Sequence, residues 1–271
     1  VSMSRIPFEQ LPAGIRQAIA DKTGAVHQTA TAQGGMNSGI ASVLETESGR
    51  VFVKGIPTDH PQVGAQRREA AIAPHLPASC PRLYWHLEFD GWSILGYEVV
   101  DGRHADYAPG SPDLPLVEAA LTELQAVTAP ADVEIKDAVD RWADYAPPGS
   151  LHYFEGNALL HTDFAPDNVL ITGDRARLID WAWPTRGAAW IDPGALLLQL
   201  MDAGHSVEEA LTFASRFPSW RDAKVEALAA FSSATAALWQ EIAEVDPAPW
   251  KLRMAEQATT LASSGAVCRR R

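Results

Sequence analysis

The chain is 271 residues long, 46% hydrophobic and 21% charged, a composition that folds and does not stay disordered. Its 22 Lys and Arg against 34 Asp and Glu leave a net charge of −12. That balance argues against a nucleic-acid partner, which needs a basic face, and against an anionic membrane surface. Two cysteines, Cys80 and Cys268, sit in no Cys-x-x-Cys or Cys/His pair, so neither a disulfide framework nor structural zinc is expected. The first residues, Val1 to Arg5, lack the apolar stretch of a signal peptide. The longest apolar run, Gly194 to Met201, is too short to span a bilayer. A cytoplasmic protein is expected.

In chain order, helical spacing over residues 8–22 ends at Gly24. Short segments rich in β-formers follow at 25–33, 40–46, 51–56, 82–89 and 92–100. Gly34-Gly35, the run from Glu47 to Arg50, and Asp90-Gly91 punctuate them as turns. One helix, 61–75, interrupts the strands, with Val63, Ala70 and Ile72 as its apolar positions. The spacing therefore predicts an antiparallel sheet of about five strands with one inserted helix. Beyond Asp101-Gly102 the pattern turns helical: 116–127, 133–145, 191–203, 207–217, 223–245 and 249–263, separated by prolines at 130, 147, 148, 218, 247 and 249. Only 168–172 and 175–180 look like strands there, joined by Gly173-Asp174 as a hairpin. The expectation is an α+β chain of two lobes, an N-terminal sheet lobe (1–100) and a larger helical lobe (101–271), with a cleft between them where a ligand binds.

The chemistry-bearing signal is His161-Thr162-Asp163-Phe164-Ala165-Pro166-Asp167-Asn168, followed by Leu178-Ile179-Asp180-Trp181. A carboxylate and an amide five positions apart suit phosphoryl transfer. Asp163 can accept the proton of an attacking hydroxyl, while the Asn168 oxygen and the Asp180 carboxylate can hold Mg2+ on a triphosphate.

These motifs resemble the kinase-like phosphotransferases, specifically the aminoglycoside phosphotransferase family, which carries H-G-D-x-x-x-x-N and a downstream I-D-W or I-D-x. Thr162 stands where that family usually has Gly. The resemblance covers roughly residues 25–200 and implies a two-lobed, protein-kinase-like fold that binds ATP and Mg2+. It implies that Lys54, in Val51-Phe52-Val53-Lys54, is the ATP lysine and that Glu69 is the helix glutamate orienting it. The loop from Gln33 to Ile40, including Ser38 and Gly39, would cover the phosphates through its backbone N–H groups. Residues 96–102, including Glu98 and Val100, fall where the family has the hinge that reads adenine, and Leu170 and Ile179 would pack on the base. His161 would brace the loop. Asp192 would cap a helix or brace the same loop. Trp181, Trp183 and Trp190 are expected in the core.

Ala165 stands where protein kinases acting on Ser or Thr place a Lys. Only eleven residues separate Asp180 from Asp192, too few for a long activation segment. The acceptor is therefore expected to be the hydroxyl of a small molecule. The resemblance and the charge of −12 point to a cationic antibiotic faced by Asp167, Glu241, Glu244 or Asp246, with a metabolite kinase or a nucleotide-binding pseudokinase as the alternatives. No obligate protein partner is implied.

Overall fold

The computed structural model describes residues 5–32 and 38–265. The expected helix 8–22 divides at Pro12. Phe8–Gln10 forms one 3-10 turn, Leu11 is extended, and α1 (Ala13–Thr23) follows. Proline biases its predecessor away from helical backbone, and this sets the break. On α1, Ile15 and Ile19 lie one turn apart and are fully buried. Gly24 ends the helix at φ +75°, where a Cβ would stand 2.5 Å from Glu47 Oε2, so glycine is required there.

Next come β1 (Val26–Thr31), β2 (Ile40–Thr46), β3 (Gly49–Pro57), α2 (Val63–Ile72), β4 (Leu83–Phe89) and β5 (Trp92–Tyr97). The five strands form one antiparallel sheet in the order β1-β2-β3-β5-β4. Asp90 and Gly91 both take positive φ, the two-residue turn that matches the strand twist between β4 and β5. On one face Ile40, Leu44, Val51, Val53 and Ile94 pack with Phe8, Leu11, Ile15 and Ile19. Side chains alternate along a strand, so Lys54, next to Val53, projects from the opposite face. There the register sets it between Ala41 of β2 and Leu95 of β5. The buried positions of α2 are Gln66, Glu69 and Ile72, so two polar residues occupy a face where Val63 and Ala70 were expected.

The rest of the chain forms β6 (Arg103–His104), α3 (Leu114–Gln125), β7 (Lys136–Asp137), α4 (Ala138–Trp142), β8 (Ala158–Leu160), β9 (Val169–Thr172), β10 (Arg175–Leu178) and β11 (Thr185–Gly187). Five helices follow: α5 (Ile191–Asp202), α6 (Val207–Ala214), α7 (Pro218–Asp222), α8 (Val225–Val245) and α9 (Pro249–Ser263). Two expected helices are corrected. Residues 133–145 are not one helix: Lys136 and Asp137 pair with β11, and Asp137 then caps the five-residue α4 by accepting from Val139 N at 2.8 Å. Residues 207–217 stop at Ala214, and α7 begins at Pro218, a residue that suits a first helical turn. The strands β9 and β10 form the expected hairpin and are joined by β6; β7, β11 and β8 make a second small sheet. A separate, larger core runs from α3 through α5 to α9 and includes Leu121, Phe154, Leu197, Trp220 and Phe231. The α+β architecture is the expected one, a sheet-rich N-terminal part followed by a helix-rich remainder. No described helix is long and apolar enough to cross a membrane.

Candidate active site

Lys54 leaves the middle of β3 on the face away from the first core. Its Nζ lies 2.8 Å from Glu69 Oε2 on α2 and 3.0 Å from Asp180 Oδ1, just past β10. One ammonium thus ties the sheet, its inserted helix and the second half of the chain. Burial alone would depress the lysine's pKa, but the Asp180 and Glu69 carboxylates outweigh it and hold the pKa raised. Lys54 in turn holds Asp180 below the usual carboxylate range. Burial pushes the Glu69 carboxyl up, opposed by Lys54 and by Tyr97, whose hydroxyl donates to Glu69 Oε1 at 2.8 Å. Tyr97 was not singled out in the sequence. Its signal is its register, opposite Phe52 on the face that carries Lys54.

The loop between β8 and β9 is fixed from beneath. Buried Asp192 accepts from His161 N and Thr162 N, both at 2.9 Å, and burial raises its pKa to about 6. It braces the loop and does not cap α5. His161 is also buried. Its Nε2 donates to Ile179 O at 2.9 Å and its Nδ1 accepts from Asp163 N at 3.3 Å, which fixes the tautomer. His161 is therefore a brace, joining the loop to the residue before Asp180. Asp163 is exposed, with its Oδ1 accepting from Ala165 N at 3.3 Å. Asn168 Nδ2 donates to Asp163 O at 3.4 Å, which leaves the amide oxygen as its ligand atom. Two non-glycine residues here take left-handed backbone, Thr162 at φ +67° and Asp180 at φ +64°. Such backbone costs about 1–2 kcal/mol per residue and persists only where surroundings impose it.

The strain at Thr162 has an identifiable holder. Arg141 Nη1 donates to Thr162 Oγ1 at 2.6 Å and to Thr185 Oγ1 at 2.7 Å. Thr185 donates onward to Trp183 O at 2.8 Å. The Arg141 guanidinium stacks between Trp142 and Trp183, at 5.0 and 5.7 Å from their ring centroids. Burial lowers its pKa to about 10, with Asp192 and Asp163 pulling the other way. Sequence reasoning missed Arg141. The available signal was Thr162 itself, a β-branched residue at a position that favours glycine. Trp181 and Trp190 are buried as expected, whereas Trp183 is 42% exposed and so not a core residue.

The other expected positions have the following surroundings. Glu98 follows β5. Its N donates to Arg82 O, and its carboxylate pairs with Arg177 Nη2 at 3.0 Å. Val100, Leu170 and Ile179 are half-buried, and Ile179 N donates to Asn168 O at 2.9 Å. Gly39 is buried and accepts from Ile6 N at 2.8 Å, beside half-buried Ser38. The remainder of the expected phosphate loop, residues 33–37, lies outside the described residues.

Neither a family model nor a curated protein matches the chain. Solved structures do. The choline kinase LicA of Streptococcus pneumoniae superposes with a TM-score of 0.63 at 15% identity, covering 92% of this chain and 98% of that one. A thermostable mutant of the aminoglycoside phosphotransferase APH(4)-Ia, in a ternary complex with ADP and hygromycin B, gives 0.59 at 15% identity over 92% and 98%. The chain has the aminoglycoside phosphotransferase and choline kinase fold. A choline/ethanolamine kinase family protein from Mesorhizobium loti shares it as well, at 0.53 and 17% identity over 91% and 90%. Within this fold, one buried cation is paired with two carboxylates, and a third carboxylate is exposed on a braced loop.

Proposed function

We propose that the protein is a kinase that moves the γ-phosphoryl group of ATP to a hydroxyl of a small molecule. The observation that carries this reading is the pairing of Lys54 with both Glu69 and Asp180, with Asp163 exposed on a loop braced by Asp192. Residues 1–100 serve as the nucleotide lobe and 101–271 as the catalytic and acceptor lobe. In this reading Lys54, held by Glu69, aligns the phosphates together with the backbone around Ser38 and Gly39. The Glu98 carbonyl and the Val100 amide meet the edge of the base, and Leu170 and Ile179 pack against its face.

Among the described residues no three His, Cys, Asp or Glu side chains gather as a metal site. A divalent ion would therefore take the Asn168 amide oxygen and the Asp180 carboxylate, and complete its shell with phosphate oxygens and water. That hard-oxygen set suits Mg2+. When bound, the ion neutralises charge on the transferring group. Asp163 orients the acceptor hydroxyl and takes its proton. The acceptor oxygen then bonds to the γ-phosphorus, the bond to the β-phosphate oxygen breaks, and ADP leaves. Positioning and charge placement supply most of the rate.

Choline kinases and aminoglycoside phosphotransferases share the fold alike, so a metabolite kinase and an antibiotic kinase are both served by it. Three of the acidic residues expected to face a cation have neighbours of their own. Asp246 pairs with Lys251, Glu241 contacts Tyr145, and Asp167 is exposed near His104. The test is ADP release from ATP-Mg across a panel of hydroxylated antibiotics and metabolites, run beside equilibrium binding of AMP-PNP. Binding of nucleotide with acceptor-dependent ADP release supports the reading; no nucleotide binding defeats it.

A further inference from the structure

Beside Thr162, the residue before Asp163, two basic side chains gather without an ion pair among the described residues. Lys136, on β7, is locked beside the Trp183 segment: its N donates to Pro184 O at 3.0 Å and it pairs with Thr185 across the small sheet. Its Nζ stands 4.9 Å from the Trp183 ring centroid, and the Arg141 guanidinium is 5.7 Å from the same ring. Among the described residues neither cation has an ion pair. Of the nearby carboxylates, Asp163 acts on Arg141 through space without an ion pair, and two others are committed elsewhere. Asp137 caps α4, and both oxygens of Asp192 hold backbone N–H groups. Among the described residues, the hydrogen bonds of Arg141 all leave from Nη1, so its Nη2 and Nε remain as donors.

Crowded like charges destabilise a fold unless something of opposite sign joins them. Burial, then Arg68 on α2, then Arg141 push the Lys136 ammonium's pKa down, so a third cation adds to the field at this point. The arrangement joins a planar guanidinium fork, a point-charge ammonium and an exposed aromatic wall. It suits an oxyanion such as a carboxylate or phosphate, attached to a small organic skeleton.

We propose that Lys136, Arg141 and the Trp183 ring that both approach form an oxyanion subsite beside the loop that carries Asp163, so that the hydroxyl substrate itself carries a carboxylate or phosphate. The inference rests on the kinase reading and narrows its substrate class. It runs opposite to the cationic acceptor expected from net charge, because that charge is a property of the whole surface and this corner is basic.

The full chain loaded with AMP-PNP and Mg2+ is titrated with glycerate, glycerol 3-phosphate, choline and hygromycin B, and the same compounds are tried as acceptors in ADP release. Glycerate or glycerol 3-phosphate is expected to bind at least tenfold more tightly than either cation. Lys136→Gln is expected to weaken that anion at least tenfold while AMP-PNP affinity moves less than twofold, a result that also certifies the variant's fold. Preference for choline or hygromycin B, or binding of neither anion, overturns the proposal. An equal loss of AMP-PNP affinity in Lys136→Gln also overturns it, since the cations would then serve the nucleotide. Repeating the anion titration without nucleotide separates the two readings. Absent AMP-PNP binding sinks the kinase assignment, whereas a Lys136-dependent anion site stands or falls by itself.

Discussion

The two sides of Asp163 are built on opposite electrostatic plans. Toward the sheet, Lys54, Glu69, Tyr97 and Asp180 form a closed network in which every charge has a partner within 3.0 Å. Toward the small β7-β11-β8 sheet, Arg141 and Lys136 hold threonine hydroxyls and an aromatic ring, and among the described residues no carboxylate pairs with them. A closed network is already organised before a ligand arrives, and under the proposed function the phosphates would enter by exchanging partners. An open one is strained until a ligand supplies the missing charge. The contrast teaches that a group's partners can say more about what it awaits than its charge does.

That comparison can be broken at several points. The largest effect is expected where the two sides meet. Asp163→Ala should lower kcat by about 10²–10⁴-fold, the usual contribution of a positioned base, with AMP-PNP still bound. Steady-state kinetics with equilibrium binding check this, and matched losses of binding and turnover would remove Asp163 from the acceptor's side. On the closed side, Lys54→Ala and Asp180→Ala should each cost about 2–4 kcal/mol in kcat/KM. Near wild-type kcat/KM for Asp180→Ala would contradict its ligand role. Tyr97→Phe leaves a Glu69 oxygen buried without its donor and should cost about 1–2 kcal/mol of stability in urea unfolding.

The smallest expected effect sharpens the edge of the closed network. Arg177 holds the Glu98 carboxyl below its ordinary range. A depressed carboxyl stabilises the fold above its unfolded pKa of about 4.3, and that stabilisation disappears as pH falls through the folded value. Glu98→Gln should therefore lower Tm at pH 7 and match the parent at pH 3, read by thermal melts.

The closed side was legible in the sequence because its parts sit on long, regular elements. Val51, Val53 and Lys54 announce a strand by alternation, and Glu69 falls mid-helix. The motif from His161 to Asn168, with Asp180, carried the rest. The open side was hidden. Strands β6, β7, β8 and β11 are two or three residues long, too short for any period, and they exist through pairing with distant partners. Lys136 and Arg141 fell inside a stretch that reads as one helix, and long-range pairing to Thr185 and Arg186 turns Lys136 and Asp137 into strand instead. Pro12 was visible but was read as part of a helix, although its ring dictates the break.

The ion pairs flanking the hinge have a mechanical consequence. Arg50, on β3, grips Asp101 at the surface, where the aspartate side chain is 72% exposed. Arg177, on β10, grips Glu98 and the Cys80 carbonyl in a half-buried setting. Residues 98–101 are therefore held at both ends, by one exposed and one half-buried ion pair. Dissolved ions reach the outer clamp and weaken it, while the inner one is shielded. Raised ionic strength is therefore expected to loosen the Asp101 end of this segment while the Glu98 end holds.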